Sequence, residues 1–264
     1  VRHPYYSMLE RGETEPLRTL FRYYSRFQEI NRFRAMRYYH AEGQHNTEMT
    51  LSCGLQSPEI YGTNRVNVPD GYAENRWGGA VDISPGLELS GLMLDYYFFT
   101  GDQAFLTATL LPYYYDLLRY IETRFPSVEN GKMQIGPLNC IEPYRDTINP
   151  IPIIAGLHST LQRVLSIRAL PERQRLYYLQ YQKKLPPIPC NEDTLLPAEA
   201  FQEERYNVEV PELYAIYPFR NYMQNKPNLE LAKKTYSLRT KEYGIDQPFQ
   251  IGLTPKAPSY SGWQ

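Results

Sequence analysis

The sequence predicts a mostly α protein made of helical hairpins joined by long, polar, carboxylate-bearing loops. Three observations point there. Residues 15–40 hold no Gly and a single Pro, Pro16, at a first-turn position where its missing N–H costs little. The run GLELSGLMLDYYFF is apolar nearly all round, the mark of a buried helix. No stretch sustains the apolar–polar alternation that would demand a large sheet.

The first long segment predicts a helix from Glu15 to His40, stopping near Gly43. Leu17, Leu20, Phe21, Tyr24 and Phe27 fall on one face at helical spacing, and Arg18, Arg22 and Arg26 on another, solvated one. Residues 44–85, rich in Asn, Gly, Pro and Ser, read as a loop, and a connection of that length is usually functional. Ser84-Pro85 then reads as a helix start, with Ser as cap and Pro at the first helical position. Thr100-Gly101-Asp102 is a turn with Asp102 as cap for a second helix reaching about Phe125, which closes an antiparallel hairpin. KMQIGPLNCIEPYRD is expected to be partly extended. Ile154, Leu157, Leu161 and Val164 mark one face of the next helix, and Pro171 opens another through Lys184. After the Pro-rich LPPIPCNEDTLLPAE and NVEVPELYAIYPF, a last helix covers about Leu229 to Lys241. The tail beyond Tyr243 is punctuated by Pro and Gly.

The chain of 264 residues carries 28 Lys+Arg against 29 Asp+Glu, a net charge of −1. That balance argues against a nucleic-acid surface as the main business. No apolar run approaches a membrane span, so no membrane partner is expected. Cys53, Cys140 and Cys190 are widely spaced and form no CxxC pair, so neither a zinc ribbon nor a disulfide framework is indicated. The composition includes 25 Tyr, 10 Phe and 2 Trp. A tyrosine has a flat apolar face and a polar tip, which suits both helix packing and a groove that grips sugars.

Chemistry is expected from loop acids that sit beside aromatics and amides. Glu48 lies in HNTEM, Asp82 follows Trp77-Gly78-Gly79, and Glu142 lies in NCIEPYRD with Tyr144, Arg145 and Asp146 behind it. Glu209 and Glu212 flank Pro211 in YNVEVPELY. Two carboxyl groups converging on one cleft can divide acid and base roles, because burial or like charge separates their pKa values. Glycoside hydrolysis needs such a pair. Each acid also has a structural use: Glu142 beside Arg145, or Glu209 and Glu212 at the start of the short helix that follows. His3, His40, His45 and His158 include no HExxH, and His158 reads as a packing residue. No GxSxG elbow, GxGxxG or GKS/T is present, and no cofactor or metal is expected.

HNTEM, WGG, GLELSGLMLDYYFFTGD, KMQIGPLNCIEPYRDTINPIPIIAGL, LLPAE and NVEVPELYAIYPFR, in that order, resemble a family of uncharacterised bacterial proteins within the six-hairpin glycosidases. More distantly the pattern is similar to the inverting α-L-fucosidases. The resemblance covers roughly residues 32–253. It implies an (α/α)6 toroid with a substrate cleft formed by loops at one end, and a secreted or periplasmic setting. Glu142 matches the general-acid position. Asn46 matches one of the asparagines that orient the attacking water, and Gln44 stands where the other would be. Glu209 and Glu212 occupy a segment where the fucosidases have histidines, and Asp246 is a distant candidate for the base. On this reading Glu142 is the acid and Glu48, Glu209 or Glu212 its partner. Trp77, Asp82, Tyr144, Arg145, Asn207 and Tyr214, with Asn46 and Gln44, would line the carbohydrate.

A full toroid needs twelve helices, and about seven are expected here. The whole chain, residues 1–264, is therefore read as one helical-hairpin domain: a fragment of a larger barrel, a barrel whose missing hairpins come from elsewhere, or an incomplete barrel. An open arc of hairpins exposes apolar faces, which favours oligomerisation. The alternative reading is a non-catalytic carbohydrate-binding or interaction protein built on the same toroid.

Overall fold

The computed structural model describes residues 3–46, 50–54, 83–126, 128, 130–206 and 209–243. Its elements are α1 (His3–Glu10), α2 (Thr14–Ser25), α3 (Gln28–Tyr39), α4 (Ser84–Thr100), α5 (Leu111–Arg124), β1 (Leu138–Cys140), β2 (Tyr144–Pro150), α6 (Ile151–Leu165), α7 (Glu172–Lys184), β3 (Ala198–Ala200), a 3-10 turn at Pro211–Ala215 and α8 (Leu229–Tyr243). The described residues are thus mostly helical, with one small three-stranded antiparallel sheet in the order β1-β2-β3.

The expected long helix of residues 15–40 is two helices. Arg26 and Phe27 separate α2 from α3, and the guanidinium of Arg26 lies 4.6 Å from the centre of the Phe27 ring while donating to the Ser52 carbonyl. Leu17 and Phe21 are buried as their spacing requires. His40, not Gly43, ends α3, in the left-handed conformation. Gly43 has its own constraint. Its φ is +81°, and a Cβ there would stand 2.1 Å from the Asp116 carbonyl oxygen. Only a residue without a side chain lets the backbone come that close to α5.

Asp102 caps as expected, its side chain accepting from the Phe105 N–H at 2.9 Å. The helix it starts reaches α5 through a short α turn, Gln103–Phe105, and a π turn, Leu106–Leu110.

The helices pair as two hairpins. Leu117 meets Gly86, and Phe105 meets Tyr96, so α5 returns antiparallel along α4. Pro186 accepts from His158, and Arg175 donates to the carbonyls of Leu165 and Ile167, so α7 returns antiparallel along α6. Between the hairpins, Leu87 packs on Gly156 and Asp95 pairs with Arg163, which makes α4 and α6 parallel. Tyr115 meets Tyr177 and Glu122 meets Lys184, which makes α5 and α7 parallel as well. Ten residues of α4 and eleven of α6 are buried, so these two form the centre of the core. Each fully buried Leu or Ile there contributes about 2 kcal/mol.

Several tyrosines of α5 and α7 lie in the core. Tyr113, Tyr114, Tyr120, Tyr178 and Tyr181 are fully buried, and Tyr114 shares a hydrogen bond of 2.9 Å with Thr160. Burial pushes the Tyr114, Tyr120 and Tyr181 hydroxyls well above the usual phenol range, so they stay neutral.

The sheet sits in front of α6. One extra residue lies on β2 between the pairs Leu138–Thr147 and Cys140–Tyr144, with Asp146 at φ 52°. This bulge bends β2 and turns the side chains on either side of it in different directions.

Candidate functional site

Because α4 and α6 are parallel, the segments that precede them lie at the same end of the bundle. Asn46 belongs to the first of these segments and Glu142 to the second. Asn46 stands against the first turn of α4, where a Cβ on Gly86 would lie 3.2 Å from its Nδ2. Glu142 stands in the β1–β2 turn, and β2 runs directly into α6 at Ile151. Phe219, four residues past the 3-10 turn, packs at this end too, reaching Gly156 beside Leu87.

Glu142 is half-buried, and burial pushes its carboxyl above the usual range. A carboxyl group shifted in that direction holds its proton better at neutral pH, which a general acid needs. Two residues on, Tyr144 is buried, its ring edge-on to Phe201 and under the guanidinium of Arg205 at 5.3 Å. Arg205 also donates to the Tyr144 hydroxyl at 3.4 Å and to the Glu209 carbonyl. The Tyr206 N–H donates to the Pro143 carbonyl at 2.8 Å, which ties this segment to the Glu142 turn.

Glu212, with no exposed surface, is ion-paired to Arg239 of α8 at 2.9 Å. Its charge reaches Tyr144: burial first, then Glu212, raises the Tyr144 hydroxyl, while Arg205 and Arg239 oppose them. Tyr144, Glu209 and Glu212 are therefore linked through Arg205 and Arg239, and Glu142 stands two residues before Tyr144 in the adjoining turn. Tyr214 follows Glu212 in the 3-10 turn and is buried with its ring near Phe219. Arg145 points elsewhere. It is exposed, and its guanidinium lies 4.0 Å from the centre of the Tyr206 ring rather than serving Glu142.

On the α4 side, the Asn46 Oδ1 accepts from the Tyr113 hydroxyl at 2.8 Å and from the Asn31 Nδ2 at 3.2 Å. Its Nδ2 is buried and makes no hydrogen bond among the described residues. Gln44 donates through Nε2 to the Tyr113 carbonyl at 2.7 Å. Both amides are thus held by α5, and the Asn46 NH2 has no hydrogen-bond partner among the described residues. Glu48, Trp77, Asp82, Asn207 and Asp246 lie outside the described residues.

The sequence reading missed Arg205, Arg239, Asn149 and Glu199. The Asn149 Nδ2 donates to Glu199 Oε2 at 2.6 Å, joining β2 to β3 at the far end of the strand. Glu199 closes the LLPAE motif, so a signal was present. The arginines carried none, since nothing in EERY or SLRTK marks a guanidinium aimed at a distant glutamate. No group of three or more His, Cys, Asp or Glu side chains able to hold a metal occurs among the described residues. No helix among them is long and apolar enough to cross a membrane.

No model of a known protein family matches the chain, and no curated protein matches it.

Proposed function

We propose that the protein is a glycoside hydrolase acting on oligo- or polysaccharide by carboxylate acid–base catalysis, on an arc of an (α/α)6 toroid. The observation that carries this reading is the parallel packing of α4 and α6, which brings the Asn46 and Glu142 segments to one end of the helices. Parallel inner helices, parallel outer helices and antiparallel hairpins are the packing that a toroid repeats. Glu142 protonates the glycosidic oxygen as the bond to the anomeric carbon breaks. A second carboxylate, Glu48 or Glu209, takes a proton from the water that attacks that carbon. The free Nδ2–H of Asn46 orients that water. Glu212, buried and ion-paired to Arg239, anchors α8 instead of serving in the reaction.

Glu142→Gln keeps size and hydrogen bonding while removing the acid. Reducing-sugar release from oligosaccharides should fall at least about 100-fold, with an unchanged far-UV spectrum. Turnover unaffected by the substitution would take Glu142 out of the mechanism.

The alternative, a non-catalytic carbohydrate-binding protein, draws support from the ion pair that ties buried Glu212 to Arg239. It predicts sugar binding by the wild type with no release of reducing ends, and equal binding by the Glu142→Gln variant.

A further inference from the structure

The β2–β3 pair borders an open cleft of about 340 Å³, away from the Glu142 turn. Its apolar lining is the Pro186–Pro189 run with Leu196, and its polar lining includes Lys132, Gln134, Asn149 and Glu199. That volume is at the lower end of small-molecule sites.

The polar groups are fixed in a particular way. Asn149 is buried, in the left-handed region at φ 51°, with Oδ1 accepting from the Ile135 N–H at 2.7 Å and Nδ2 donating to Glu199. Both ends of its amide are committed, so it holds one oxygen of Glu199 in place. The other oxygen, Oε1, accepts no hydrogen bond among the described residues, and the exposed Gln134 amide makes none. Lys132 spends one of its three N–H groups on the Lys183 carbonyl, at 2.9 Å. The cleft therefore combines an oriented acceptor, an amide that can both donate and accept, and a cation with protons to spare, beside aliphatic C–H surface.

A sugar ring presents the complement: C–H faces for the prolines and Leu196, and ring-edge hydroxyls that donate to Glu199 and accept from Lys132. Opposite charges on Lys132 and Glu199 disfavour a ligand with net charge of either sign. We propose that this cleft is a saccharide subsite that takes a neutral sugar unit. The assignment rests on the carbohydrate reading above and deepens it. Tyr144 and Asn149 are five residues apart on β2, up to roughly 15 Å. The cleft lies at the opposite end of β2 from the Glu142 turn and is lined by neither Glu142 nor Tyr144, so it holds a unit other than the one whose bond Glu142 would protonate, and Glu199 binds rather than catalyses.

Cys190 lines the cleft and is exposed, so its thiol reports occupancy. Cys53 is the other exposed thiol and is removed as Cys53→Ser, while Cys140 is buried. In that background, alkylation of Cys190 by N-ethylmaleimide is followed with neutral cello-, xylo-, manno- and fuco-oligosaccharides, and with oligogalacturonate as the charged control. At least one neutral oligosaccharide should slow alkylation several-fold, and the uronate should not. Glu199→Gln and Lys132→Met should each abolish protection without changing the melting temperature or the rate in the absence of sugar. Glu142→Gln should leave protection intact. No protection by any neutral oligosaccharide, or equal protection in Glu199→Gln, overturns the subsite. Protection without reducing-sugar release by the wild type keeps the subsite and defeats the hydrolase reading. Release without protection does the reverse.

Discussion

Burial alone accounts for the raised pKa of Glu142, and that shift links the candidate acid to the stability of the chain. The folded state holds the Glu142 proton more tightly than the unfolded state, whose carboxyl titrates near the ordinary value of 4.5. The stabilisation from the protonated form is therefore complete below 4.5 and is lost as pH rises through the higher folded value. Glu142→Gln mimics the protonated form at every pH. Its melting temperature should exceed that of the wild type at pH 7, and the difference should vanish below pH 4.5 by scanning calorimetry. A gain in stability beside a loss of turnover separates a strained functional acid from a structural one. His158 runs the opposite way. Its Nε2–H donates to the Pro186 carbonyl at 2.8 Å, and burial lowers its pKa, so it becomes costly to keep neutral as pH falls below its ordinary value of 6.5.

Elements are started and stopped by single residues, and here the sequence reads well. Asp102 accepts from the Phe105 N–H and so satisfies one of the orphan donors at the start of the helical stretch that leads into α5. Asp102→Ala should cost about 1 kcal/mol, measured as a lowered denaturant midpoint with an unchanged slope. The helix starts at Ser84, Glu172 and Leu229 fall where they were expected, but Ile83 rather than Ser84 is the cap of α4, and it caps without a side-chain hydrogen bond. The division of α2 from α3 was not legible, because Arg26 and Phe27 are ordinary helix residues. What marks the division is contact with a segment distant in sequence: Arg26 donates to the Ser52 carbonyl, and the Phe27 ring lies against Gly54. The three strands were foreseen only as an extended stretch, since each is short and β2 is interrupted by its bulge.

At the scale of the whole molecule, Asp95 joins three pieces of chain. It accepts from Arg163 of α6 at 2.7 Å, and its two oxygens accept from Arg220 at 3.1 and 2.8 Å, beyond the 3-10 turn. Burial lowers the pKa of Arg163, and Asp95 opposes that shift, so the carboxylate favours the charged guanidinium at this site. Asp95→Asn would leave two cations facing each other with no compensating charge. The expected loss is roughly 2 to 3 kcal/mol, less than for a fully buried pair because Arg220 is partly exposed, read by urea denaturation. The Asn46 and Glu142 segments lie beyond the other ends of α4 and α6 from this cluster. The substitution should therefore weaken stability without shifting the pH profile of Glu142→Gln.

Periodicity and caps determined the helices of this protein, because a helix is decided by neighbours three and four residues apart and those are adjacent in sequence. The candidate acids were also visible as residue types in loops. Which of them meet was decided only by tertiary packing. Glu212 and Arg239 are twenty-seven positions apart, and Asn149 and Glu199 fifty, and no local rule couples them. The same holds for Asn46 and Glu142, whose segments come to one end only because α4 and α6 pack in parallel. That direction is set by which apolar faces bury each other, a property of the assembled core and not of either helix alone.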